Sequence, residues 1–126
     1  MASSGTFGPL KIWAAGSWTS QLLDVSLQSF QDSGENRWGI LRWKESGTSD
    51  STTARVRVDI LNSNKTILQK DLSGNVVINN SRFNRSIDLS LYKNVFSKDI
   101  YIRFKLQKLS GSPTVENIEL NSNKKW

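Results

Sequence analysis

The chain contains no histidine and no cysteine, and these two absences remove much of the usual chemistry of active sites. Histidine is the common proton shuttle near neutral pH and the most frequent metal ligand. Serine–histidine triads and zinc-hydrolase centres are therefore excluded. Without cysteine there are no disulfides, thiolate metal sites or cysteine nucleophiles. No apolar run approaches the roughly twenty residues that cross a bilayer as a helix, so no membrane association is expected. The opening stretch, MASSGTFGPLKIWAAG, lacks a basic region followed by an apolar one, and no export signal is expected within it. The eight glycines are few and fall in turns, and none builds a phosphate-cradling loop.

What is present suits one modest domain. At 126 residues the length prior is a single domain, expected over 1–126 with an ordered core at about 10–121, burying roughly two-thirds of its unfolded surface. Seventeen Lys and Arg against eleven Asp and Glu give a net charge of +6. That excess favours acidic polymers or anionic surfaces, and it also suits an ordinary solvated exterior.

Strand signals recur along the chain. In TARVRVDIL, Ala54, Val56, Val58 and Ile60 alternate with Arg55, Arg57 and Asp59. In DIYIRFKLQKL, Ile100, Ile102, Phe104 and Leu106 alternate with Tyr101, Arg103, Lys105 and Gln107. A two-residue period of this kind is that of half-buried antiparallel strands. Further strands are predicted over 18–25, 66–72, 86–92 (with Ile87, Leu89 and Leu91 inward) and 114–120, and SLQSFQ is a short helix or a loop. Polar turn clusters at 46–52, 62–65, 73–75 and 110–113 separate them. The pattern predicts an all-β fold, an antiparallel β-sandwich.

NRWGILRWKES poses a specific question. Trp38 and Trp43 are five positions apart, so a regular strand would place them on opposite sheet faces. A bulge at Gly39 would instead bring both to one side. Two roles are open: core or lid residues, or a flat platform for a sugar ring on an open face. The outward residues Arg55, Arg57, Tyr101, Arg103 and Lys105 would line such a face if their strands share a sheet, donating hydrogen bonds to sugar hydroxyls or carboxylates. Trp38, Trp43 and these five are the candidate ligand-binding residues. The same five also serve as solvated strand faces that discourage edge-to-edge aggregation. Single-stranded nucleic acid fits less well, because +6 is modest for a dedicated binder.

An enzyme is not expected. Glycoside hydrolysis needs two carboxylates across a cleft, and the eleven acids are scattered with nothing to mark a pair. No catalytic cofactor is expected. For a structural calcium ion the candidates are Asp32 with Glu35, or Asp50 in its serine-rich loop, although their spacing is not that of a known calcium loop.

The order GSWTSQLLDV, RWGILRWKES, ARVRVDILNSN, IDLS and IYIRFKLQKLSGSPTVENIEL, over roughly residues 16–120, resembles a recurrent β-sandwich accessory module. Modules of this kind occur beside catalytic domains in secreted polysaccharide-degrading enzymes, in microbial surface proteins and in phage structural proteins. The shared parts are a W-T-S opening strand, the Trp-bearing strand, a Val-rich strand with its Asn turn and a closing P-T-x-x-x-I-E-L strand. The resemblance implies a jelly-roll-like sandwich without catalysis, similar to carbohydrate-binding modules, set within a larger multidomain protein outside the cell or at its surface. Its motifs are core and turn residues, so no binding residue is carried over. The expected function is a non-catalytic carbohydrate-binding module for a cell-wall polysaccharide. The alternative is a structural or adhesive domain that makes protein–protein contacts.

Overall fold

A computed structural model describes residues 4–6, 11–13, 16–25, 30–32, 35–47, 54–95, 97–108 and 113–121. The described strands are β1 (Ser4–Thr6), β2 (Lys11–Trp13), β3 (Gly16–Thr19), β4 (Phe30–Asp32), β5 (Glu35–Arg37), β6 (Ile40–Ser46), β7 (Ala54–Leu61), β8 (Ile67–Leu72), β9 (Asn75–Val76), β10 (Arg85–Asp88), β11 (Tyr101–Lys108) and β12 (Thr114–Asn121). They form two antiparallel sheets and a small β4–β5 hairpin. The first sheet runs β1-β12-β6-β10-β9, with β2 also on β12, and the second runs β3-β11-β7-β8. After β6 the chain passes to the second sheet for β7 and β8, to the first for β9 and β10, and back for β11 before closing with β12. This is an all-β antiparallel sandwich.

Alternation explains the central strands. On β6, Leu41, Trp43 and Glu45 point inward and Ile40, Arg42 and Lys44 outward. On β7 and β11, Val56, Val58, Ile60, Ile102, Phe104 and Leu106 are buried, and the two strands pair in unbroken register from Tyr101↔Leu61 to Lys108↔Ala54. Their inward side chains join those of the first sheet in one cluster. Trp43 meets Phe104 edge-on, with ring centroids 5.2 Å apart, tying the sheets together.

Three departures from simple alternation matter. On β12 the register against β6 shifts between Glu116 and Glu119, with Asn117 at φ 56°. This bulge lets Val115, Ile118 and Leu120 all face inward. Strand β10 stops at Asp88, whose carboxylate accepts from the Ser90 amide and hydroxyl and caps a 3₁₀ turn over Leu89–Leu91. Ile87 and Leu89 are buried as expected, but Leu91 is 75% exposed. The inward assignment of Leu91 is corrected: the turn ends the two-residue period before it. On β8, Asp71 has φ 55° and sits where the register against β7 shifts between Val58↔Leu72 and Ile60↔Gln69. SLQSFQ and the clusters at 46–52 and 110–113 lie largely outside the described residues.

Candidate functional site

The tryptophan question resolves toward the core. β6 begins only at Ile40, so Trp38 precedes the strand, and Gly39 uses its carbonyl to accept from the Leu89 amide. Trp38 and Trp43 both have 0% exposure and belong to the same cluster. Each indole N–H has an acceptor, Lys98 O at 2.6 Å for Trp38 and the buried Glu45 Oε1 at 2.8 Å for Trp43. Neither ring presents a face to solvent, so the expectation that Trp38 or Trp43 forms a stacking platform is corrected. Burial is the physical reason.

The other five candidates do share one surface. Register places Lys105 opposite Arg57, Arg103 opposite Asp59, Tyr101 opposite Leu61 and Gln107 opposite Arg55. Arg55, Arg57, Tyr101, Arg103 and Lys105 are all partly exposed on the outward side of the second sheet. From Tyr101 to Gln107 the row spans seven residues, six steps or roughly 20 Å at the usual strand rise.

The middle of that row is neutralised. Asp59, outward by parity yet fully buried, accepts from Arg103 Nη2 at 2.8 Å and Nε at 3.2 Å, from Lys105 Nζ at 2.9 Å and from the Asp71 amide at 2.9 Å. Lys105 also pairs with the Asp71 carboxylate. Burial pushes the Asp59 carboxyl up, but the Asp71 amide, Lys105 and Arg103 together hold it below its ordinary value. Asp71 is held down first by its bond from Lys105. Burial pulls Lys105 down, while Asp71 and Asp59 carry it above the usual lysine value. Arg103 and Lys105 are thus committed to protein carboxylates.

At one end, the ring of Tyr101 lies under the Lys65 ammonium, 5.2 Å from its centroid. At the other, Arg55 Nε donates to Gln107 Oε1 and Arg57 Nη1 to Val56 O at 2.9 Å. Neither Arg55 nor Arg57 has a carboxylate within ion-pair distance among the described residues. Pairing of β8 with β7 stops at Val58↔Leu72, so among the described residues Arg55 and Arg57 lie where β7 has no partner strand on that side. There the chain crosses from β8 to β9 through Ser73–Gly74 and leaves an open pocket of about 220 Å³ lined by Arg55, Arg57, Ser73, Gly74, Arg85 and Glu45. Arg85 Nε lies 3.3 Å from Glu45 Oε2.

Sequence reasoning missed Arg85, Glu45 and the pairing role of Asp59. Arg85 shares parity with buried Ile87, and Glu45 with Leu41 and Trp43. A charge at an inward position near a strand end was the available signal. For calcium, Asp32 and Glu35 are register partners on β4–β5, Asp50 lies outside the described residues, and no cluster of three or more acidic side chains occurs among the described residues. No family model matches the chain, and no curated protein or solved structure does either.

Proposed function

We propose that the domain is a non-catalytic module that recognises a cell-wall polysaccharide along the outward face of the second sheet, by hydrogen bonds and charge and not by indole stacking. The observation that supports this most is the row on β7 and β11. It runs roughly 20 Å, is polar along most of its length, carries Tyr101 near one end and ends at two arginines without carboxylate partners among the described residues. An extended polar face suits an extended polymer better than a compact ligand. Linkage to a partner domain outside the cell or at its surface would raise effective concentration, so weak contacts suffice.

Affinity electrophoresis against neutral β-glucans, xyloglucan and acidic pectins tests the reading. Retardation by at least one polymer, weakened in Arg57→Ala, is expected. Unretarded migration through the whole panel would overturn it. A second reading, a structural domain that packs against other chains, draws on β9. This strand is the edge of the first sheet, with Val76 68% and nearby Ile78 75% exposed. Light scattering separates the two: a monomer at millimolar concentration removes self-association, and a defined oligomer supports it.

A further inference from the structure

We infer that the pocket beneath the Ser73–Gly74 crossing is an oxyanion subsite that takes a pendant carboxylate of the bound polymer, of the kind a uronic-acid residue carries. This inference rests on the polysaccharide reading for the identity of the polymer, while the pocket itself is argued from its own residues.

Three guanidiniums and one carboxylate line it. Arg85 and Glu45 pair with each other, so Arg55 and Arg57 remain as the uncompensated charge. Two forked cations beside one ion pair leave the pocket with excess positive charge, which favours an anion. The neighbouring Glu45 carboxylate opposes the second charge of a dianion.

Each guanidinium is already oriented by a bond that leaves other N–H groups to donate. Arg55 is held through Nε by Gln107, Arg57 through Nη1 by Val56 O, and Arg85 through Nε by Glu45 and Nη1 by Asn84 O at 3.3 Å. Forks held in place lose little further entropy on binding a planar carboxylate.

Size points the same way. About 220 Å³ is below the roughly 300–1,000 Å³ of pockets that enclose a whole small ligand. The pocket suits one pendant group, with the rest of the polymer along the outer row that begins at the same two arginines. Ser73 adds a hydroxyl at the rim. Gly74 leaves the wall low, and its lack of a side chain has its own cause in the packing against Trp43.

The experiment is a titration of the ¹⁵N-labelled protein with a galacturonate oligomer, its methyl-esterified form, a neutral cello-oligosaccharide and inorganic sulfate, followed through the arginine Nε–H signals. The galacturonate oligomer is expected to shift the Arg55 and Arg85 signals saturably. The methyl ester should bind at least tenfold more weakly, and Arg57→Gln should lose at least tenfold in affinity for the acid. Sulfate that shifts the signals as strongly as the oligomer would overturn the carboxylate assignment. Equal affinity for acid, ester and neutral oligomers, with Arg57→Gln unaffected, would overturn the subsite and leave the polysaccharide reading standing. If galacturonate shifts the arginine signals but no polymer is retarded in electrophoresis, the subsite stands and the polysaccharide reading falls. No arginine shift with any carboxylate overturns the subsite outright.

Discussion

Asp59 stands on the outward face of its strand and is nevertheless buried, because Arg103, Lys105 and the bulged β8 backbone close over it. Its carboxyl is held below the ordinary range, so its contribution to stability is complete above the unfolded value of about 4 and is lost as pH falls through the lower folded value. Asp71, also held low, acts in the same direction. The melting temperature should therefore fall steeply on acidification below about pH 4, and Asp59→Asn should flatten that fall. At pH 7, Asp59→Ala should cost about 3 kcal/mol, near the lower end for a broken buried pair because both cations can turn to water. A pH series of thermal melts on both proteins checks the two expectations. Gly74 makes a residue-scale case of a different kind. A Cβ there would lie 2.6 Å from Trp43 Cζ2 and 2.7 Å from Arg85 Cβ, too close for any rotamer to relieve. Gly74→Ala should destabilise by about 1–3 kcal/mol through overpacking, seen as a lower urea midpoint.

Among the elements, β6, β7 and β11 could be read from their periodicity, because each pairs through most of its length and alternates buried with partly exposed residues. By contrast, β8, an edge strand with two register shifts, was legible only as a run bounded by turns. β9 and the hairpin β4–β5 could not be read. Strands of two or three residues do not complete a period that separates them from loops. The bulges were equally hidden: Asn117 and Asp71 adopt positive φ with side chains that tolerate it, but many asparagines and aspartates in turns look the same. Asn84 shows how such an irregular point is secured. Its side chain accepts from the Glu45 amide and donates to the Glu45 carbonyl, both at 2.8 Å, while its own amide bonds Trp43 O at 3.1 Å. One amide side chain thereby continues the ladder where β10 has not yet begun. Asn84→Ala should remove the side-chain partner of two partly buried backbone groups on β6, at about 1–3 kcal/mol. Hydrogen exchange should quicken at the Glu45 amide while Leu41, farther along β6, keeps its protection.

For the whole molecule, the division between what was legible and what was not follows the direction of the side chains. Alternation along β7 and β11 was enough to put Arg55, Arg57, Tyr101, Arg103 and Lys105 on one side, and it correctly implied a shared face once the strands paired. It carried no information about the third dimension: that Asp59 and Asp71 would neutralise the middle of the row, or that β10 would bring Arg85 to its end. Parity also failed for Trp38, which lies outside the strand and turns into the core. On the proposed reading, stability and recognition occupy different layers, Trp38 and Trp43 within and the cations without. Trp38 is the sharper probe of that separation, since Trp43 bonds Glu45, a wall of the pocket, whereas Trp38 bonds Lys98 O. Trp38→Phe removes that donor and part of a filled volume, and should cost about 2–4 kcal/mol in denaturant titration. At a temperature where the variant is still folded, its retardation by any polysaccharide that binds the native protein should be unchanged. A loss of binding in a Trp38→Phe protein with native circular dichroism would show that the indole contributes to recognition despite its burial.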